Sequence, residues 1–216
     1  MKELMYKEIK LSMHPVAYIF LSLSALLCIP SYPYYIVFFY NCLGIFFVFQ
    51  ANRENRDIYY MFGLPIQKRD MVKARFYLVV CIELAQVVTC IPFAFIRDKF
   101  ILMNNQVGIE ANVAFIGLAF IMLCLFNFIF LTQYYKSGYK IGVPFAKAST
   151  IMLFYMLGAE VILRVIPYMR DYCDSVSVEN QIKQLPVLLL GVILFILIAF
   201  LAYKKSADNF DKLDLL

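Results

Sequence analysis

Tryptophan is absent, histidine occurs once, and charged side chains make up only 16% of the 216 residues. Soluble domains carry roughly 25% charged residues. Each shortage excludes something. One histidine, His14, cannot supply the clustered imidazoles of a metal site or a proton relay. Its place before Pro15 at a membrane border suits an interfacial or capping role. The six cysteines form no C-x-x-C pair, so neither a zinc site nor a redox dithiol is supported. The eight glycines are scattered, and no Gly-x-x-x-x-Gly-Lys-Ser/Thr loop exists to wrap nucleotide phosphates in backbone N–H groups. Neither Gly-x-Ser-x-Gly nor His-Glu-x-x-His occurs. The chain therefore reads as no enzyme of its own, with no cofactor bound. A formal charge of +5 is spread around apolar runs rather than gathered into one patch, so nucleic acid is not an expected partner.

What is abundant is apolar. Hydrophobic residues make up 63% of the chain, and the mean hydropathy is +0.75. So much apolar surface cannot be hidden in one small core, which makes the bilayer the expected solvent. Six segments suffice to cross, or nearly cross, about 30 Å of hydrocarbon. They are Leu11–Ile29, Tyr32–Ala51, Phe76–Ile96, Val113–Tyr135, Val143–Ile166 and Pro186–Tyr203. Helices are expected, because a lipid-exposed backbone must satisfy its own hydrogen bonds. A barrel would need alternating polar residues, which these solid runs lack. The expected fold is an all-α integral membrane protein forming a single domain over residues 1–216.

Basic residues set the orientation. With the N-terminus in the cytosol, fifteen Lys and Arg lie inside and five outside, so both termini are expected to be cytosolic. Six of the fifteen sit between Ala51 and Phe76. That connection, residues 52–75, is the longest inner one. It opens with a polar run, then presents a bulky cluster, Ile58-Tyr59-Tyr60-Met61-Phe62. Gly63-Leu64-Pro65 interrupts it, since glycine permits unusual dihedrals and Pro65 biases Leu64 away from helix. Pro65 could then open a helix that runs into the third span. An apolar knob between charged arms suits a groove on a partner protein or the headgroup layer; the residues alone leave both open.

Polar residues at membrane depth form a second group. Glu83 lies within the third span, with Gln86 and Cys90 on the same face. A carboxylate there costs roughly 2.5–3.5 kcal/mol on insertion scales, so it should face protein or water. The pair could line a pathway, meet a second subunit, or only hold the bundle together. Glu160 and Arg164, four apart near the outer end of the fifth span, have the favourable order for a helical ion pair. Residues 167–185 form an outer loop, long enough for a small cap. Tyr32, Tyr34 and Tyr35 mark the outer interface, and Tyr134, Tyr135 and Tyr139 the inner one.

The stretch ENRDIYYMFGLPIQKRDMVKAR resembles the inner loop of permease subunits of type-two ATP-binding-cassette exporters. The most similar group is the small bacterial permeases that include the phenol-soluble-modulin exporter. The likeness extends to the basic start MKELMYKEIKLSMHP and the hairpin IPSYPYYIVFFY, and covers nearly the whole chain. It implies a bacterial plasma-membrane protein with an interfacial elbow helix over residues 1–10. Leu4, Met5, Ile9 and Leu11 would share that helix's apolar face. It also implies that the loop between spans two and three forms a cytosolic coupling helix seated on a separate ATPase subunit. Asp57, Ile58, Tyr59, Tyr60, Met61, Phe62, Leu64 and Pro65 would make the contact, flanked by Lys68, Arg69 and Lys73. ATP and magnesium would sit on that partner. Six spans make half a conduit, so a second permease subunit is expected. The cargo suggested by analogy is an amphipathic peptide or a lipid-like molecule. The rival is a non-transporting immunity, sensor or scaffold subunit. A secondary transporter would call for an inverted repeat, and none is visible.

Overall fold

A computed structural model describes residues 2–101, 103, 105–137 and 140–213; Met1 and Tyr139, used in the readings above, lie outside them. Among the described residues every regular element is helical. In chain order these are α1 (Lys2–Lys7), α2 (Pro15–Ser22), α3 (Tyr35–Glu54), α4 (Asp57–Phe62), α5 (Lys68–Phe100), α6 (Val113–Ser137), α7 (Gly142–Val165) and α8 (Val178–Asp211). A π-helical turn, Glu8–Ser12, continues α1, and a 3₁₀ run, Leu23–Cys28, continues α2. Five helices (α3, α5, α6, α7 and α8) are long and apolar enough to span a bilayer. The pair Lys2–Ser12 and Pro15–Cys28, bent by 80°, makes a sixth if counted as one. The protein is an all-α integral membrane protein.

The first span departs from the expected Leu11–Ile29. Leu11 and Ser12 lie on the far side of the bend, in the π turn. The remaining arm, Pro15–Cys28, rises only about 24 Å at helical and 3₁₀ pitches. That is short of about 30 Å of hydrocarbon. The bend has a local cause. Pro15 takes the first helical position, where its missing N–H costs nothing. His14 caps the same turn, its Nδ1 accepting from the Val16 N–H at 3.2 Å.

The core forms around α6, whose longest packing partner is α8. The two backbones approach closely where Gly117 meets Gly191. A Cβ on Gly191 would overlap the Gly117 carbonyl, and one on Gly117 would come within 2.7 Å of the Val187 carbonyl. Small residues permit such approach, and close packing holds helices together where lipid removes the hydrophobic drive between them. Around this seam the interior is aromatic. Phe115 meets Tyr34, Tyr35 and Phe38, and Phe130 meets Phe49, Phe126 and Phe145. Such ring pairs add about 0.5–1.5 kcal/mol each beyond area burial. The outward faces of α7 and α8 stay apolar, with Phe154, Leu157, Leu189, Ile193 and Phe200 exposed. The surrounding medium is lipid, so apolar side chains point both ways.

Several expectations change. The outer loop is shorter than 167–185, because α8 begins at Val178 and takes the second half; a π turn, Met169–Cys173, occupies much of the rest. Tyr34, Tyr35, Tyr134 and Tyr135 are buried inside the ends of the bundle rather than standing at its interfaces. The apolar face expected for the first helix is also divided. Glu8 and Ser12 face the protein, while Ile9 and Leu11 are exposed. Beside a bilayer the polar stripe turns inward and the apolar one outward.

Candidate functional site

Chain reversal between α3 and α4 depends on Arg56, not Gly63. Arg56 adopts the left-handed conformation at φ 53° and ψ 33°. Gly63 sits at φ −73° and ψ −9°, open to any residue, and closes α4 with its N–H bonded back to Tyr60. The second break comes after it, through Leu64-Pro65, and α5 starts at Lys68. From there one helix of 33 residues, with Pro92 inside it, runs to Phe100. At 1.5 Å per residue it is about 50 Å long, so its first turns lie beyond the hydrocarbon.

Helix α4 has two faces. Met61 is fully covered, and Ile58 and Phe62 are half-buried against the core. Phe62 stacks on Phe210 of α8 at 5.9 Å, and Phe210 meets Tyr135 of α6 edge-on at 5.2 Å. The opposite face carries Tyr59 and Tyr60, the latter 67% exposed, followed by exposed Leu64 and Pro65. The aromatic cluster is therefore half knob and half anchor.

Asp57, at the start of α4, is committed inside the subunit. Its carboxylate pairs with Arg75 of α5 at 2.6 Å and with Lys7 of α1. Arg75 also holds Glu8 at 2.6 Å, and Lys7 holds Glu8 at 3.1 Å. Two cations and two anions close into a neutral quartet, with the Arg75 side chain 9% and the Glu8 side chain 1% exposed. The Arg75 guanidinium also lies 5.6 Å from the Phe49 ring of α3. Below α4 a cavity of about 20 Å³ remains between Arg75, Asn52, Met61 and Tyr134, room for about one water. The quartet ties the N-terminal helix, α4 and the base of α5 into one unit. Asn52 adds a second tie by donating to the Ser12 carbonyl at 3.2 Å.

The flanking cations are occupied too. Lys68 donates to the Leu213 carbonyl at 2.8 Å, and Arg69 pairs with Asp208 and Asp211 at 3.1 and 2.6 Å. Lys73 lines a cleft between α5 and α8 with Phe76, Tyr77, Phe200 and Tyr203, none of them from α4. Of the eleven residues expected to touch a partner, Tyr59, Tyr60, Leu64 and Pro65 are presented outward. Asp57, Met61 and Lys73 are directed elsewhere, and Ile58, Phe62, Lys68 and Arg69 hold the platform.

At membrane depth the expected stripe divides. Glu83 accepts from the Asn127 amide of α6 at 2.7 Å. Gln86 instead donates to Ser24 of the first span at 2.8 Å, and Ser24 bonds Thr89 at 2.9 Å. Both Glu83 and Gln86 are completely covered, so neither reaches a second subunit in this conformation. They join α5 to two different neighbours.

The C-terminal end of α5 repeats the chemistry of its start. Arg97 is buried, pairs with Glu110, donates to the Tyr34 hydroxyl at 2.5 Å and holds the Met103 carbonyl at 3.2 Å. Glu110 accepts from the Asn105 N–H at 2.6 Å and donates its own N–H to Asp174 at 3.1 Å. Burial raises the Asp174 carboxyl above its usual range. Asn112 caps α6 through the Phe115 N–H and holds the Cys173 carbonyl at 2.7 Å. Glu160 turns to this assembly, accepting from the Ile109 N–H at 3.2 Å. The described ion pairs do not include Glu160 with Arg164; the carboxylate serves the loop backbone instead. Sequence reading missed Glu8, Arg75, Arg97 and Glu110. One signal was available: Leu4, Glu8 and Ser12 recur at four-residue spacing, which places a carboxylate on a helix face that had to meet protein.

The described residues contain no group of three or more His, Cys, Asp or Glu side chains able to hold a metal ion. A family model described as ABC-2 family transporter protein matches residues 3–210. No curated protein matches, and no solved structure does.

Proposed function

The chain belongs to the ABC-2 transporter family, and from that premise we propose that it is the permease subunit of an exporter driven by a separate ATPase subunit. An ATP-binding-cassette ATPase and the bilayer are the partners that family membership implies. The observation that carries the finer reading is the divided α4. One face is fixed to its own subunit by Asp57, Met61 and Phe62, while Tyr60, Leu64 and Pro65 stand free of the core. A segment that only anchored the loop would not present an exposed aromatic and an exposed leucine on a rigid mount. A segment that only lay in headgroups would not need a buried ionic mount. Force applied to the exposed face passes through Asp57 and Arg75 into α5, and through Phe62 and Phe210 into α8.

In this reading α4 is the cytosolic coupling helix and the α1 arm is the elbow, with both termini cytosolic in a bacterial plasma membrane. ATP and magnesium bind the partner. Two permease subunits, identical or not, complete the conduit. The cargo is an amphipathic peptide or lipid-like molecule, a reading that rests on the resemblance to the phenol-soluble-modulin exporter group. A non-transporting sensor or scaffold would share the spans but needs no mechanical linkage.

The test is copurification with candidate ATP-binding-cassette ATPase subunits, using Tyr60→Asp. Tyr60 has no part in the mount, so the variant should insert and melt like the wild type. Association should fall at least tenfold, the size of effect expected of an aromatic hot spot at about 1.4 kcal/mol or more. Unchanged association and ATP turnover would refute the coupling role. Phe62→Asp is a poorer probe, because it also breaks the stack on Phe210.

A further inference from the structure

We propose that the cleft between α5 and α8 holds an anionic phospholipid, with its phosphate on Lys73 and an acyl chain against Phe76 and Phe200. The cleft has a volume of about 320 Å³ and is lined by Lys73, Phe76, Tyr77, Phe200 and Tyr203. That is within the size range of ligand sites. Its walls are built, not accidental. Phe76 and Tyr203 meet edge-on at 5.9 Å across the two helices, and the Lys73 ammonium lies 6.0 Å from the Tyr77 ring.

The electrostatics point to an anion. One turn nearer the start of α5, Arg69 takes both carboxylates in the last turn of α8, Asp208 and Asp211. No carboxylate is paired with Lys73 among the described residues. The Tyr77 and Tyr203 hydroxyls likewise make no hydrogen bond there. Lys73, Tyr77 and Tyr203 thus bring three donors to the walls of an aromatic slot. Lys204 is exposed on the next position of α8 and adds to the positive field.

The surroundings select a lipid over other anions. Phe200 is 64% exposed and continues the outward stripe of Ile193, Ile196 and Leu197 that faces the bilayer. A soluble phosphate would leave that slot unfilled. A zwitterionic lipid would bring its own cation to Lys73. A phosphate diester with net negative charge and an acyl chain matches both halves. Cations at the membrane surface each favour anionic lipid by roughly fivefold. This inference requires only that α5 and α8 span the membrane, and stands apart from the coupling role of α4.

The experiment uses the full chain in symmetric nanodiscs of equal phosphatidylglycerol and phosphatidylcholine, which removes any dependence on orientation. Lipid that stays with the protein after detergent extraction is counted by native mass spectrometry. Wild type should retain phosphatidylglycerol preferentially. Lys73→Gln should lower that preference about fivefold, and Lys73→Arg and Lys136→Gln should keep it. Tyr203→Phe, which removes one donor without changing the slot, should lower it about threefold. No preference in the wild type overturns the proposal. So does an equal loss in Lys73→Gln and Lys136→Gln, which would mean diffuse attraction. Efficient disulfide-linked dimers of Phe200→Cys with no retained phosphatidylglycerol would also overturn it, by showing a second copy in the cleft.

Discussion

The two ends of α5 carry the same device in different company. Arg75 and Arg97 are 22 positions apart, about 33 Å along a helix, which is close to the thickness of the hydrocarbon. Each guanidinium is buried, paired with carboxylate and laid near an aromatic ring: Phe49 at 5.6 Å from Arg75, Tyr34 at 5.2 Å from Arg97. The difference lies in what they tie together. Arg97 binds connections, namely the loop through Met103 and Glu110 and the Tyr34 hairpin. Arg75 binds two separate helical segments: the α1 arm through Glu8 and α4 through Asp57. The Arg97 end is a staple and the Arg75 end a joint. In the coupling role proposed for α4, a push there would enter α5 at the Arg75 end and be carried along this one helix, with Pro92 inside it, toward the loops held by Arg97.

Arg75→Ala is the strongest way to break this comparison. It leaves Glu8 and Asp57 facing one another with only Lys7 between them. Removing one partner from a buried ion pair costs about 3–5 kcal/mol. The melting midpoint should drop by roughly 10 °C for a chain of this size. Buried Cys42, Cys90 and Cys124 provide the readout, since a thiol-reactive dye reports their exposure on unfolding. If the joint transmits force, ATP turnover coupled to transport should be lost even at temperatures where the variant remains folded.

Arg97→Ala should come second. Only Glu110 loses its cation, and that carboxylate keeps the Asn105 N–H. A cost at the low end, roughly 3 kcal/mol, is expected by the same thiol assay. The sharper readout is selective. Association with the ATPase subunit should match the wild type, because no outer contact reaches α4. Uncoupling as complete as that of Arg75→Ala would erase the distinction between staple and joint.

The sequence made the spans legible because solid apolar runs leave few alternatives to a helix. It also made His14 legible, since a polar residue before Pro15 at the start of a helix has few places to go. The aromatic cluster at residues 58–62 stood out by composition, yet its two faces did not. Which side of a short helix is buried depends on Phe210 and Tyr135, more than 70 positions away. The arginines misled for a related reason. Arg75 and Arg97 read as loop charges that set orientation, although both are structural and buried. Their partners Glu8 and Glu110 are 67 and 13 residues away, and nothing local reports such pairing. Taking one cation from each side leaves the inside-outside imbalance standing, so the orientation argument survives their removal. Gly63 misled through its identity: the left-handed backbone belongs to Arg56, a residue that seldom adopts it.

A third arginine, Arg69, tests whether burial rather than ion pairing itself makes the two ends strong. Its partners Asp208 and Asp211 lie at 3.1 and 2.6 Å, against 2.6 Å for both partners of Arg75, but its side chain is 58% exposed. Water and salt screen such a pair, and its worth is about 0–1 kcal/mol. Arg69→Ala should therefore shift the melting midpoint by no more than about 2–4 °C, and added salt should narrow even that gap. The local effect should be larger than the global one. Arg69 and Lys68 hold the end of α8 against the start of α5, so amide exchange at residues 208–213 should quicken while α6 stays protected. Asn209 still donates to the Thr132 carbonyl at 2.9 Å, which keeps the helix end docked. A destabilisation equal to that of Arg97→Ala would mean that geometry alone sets the strength of these pairs, and the contrast drawn from burial would fail.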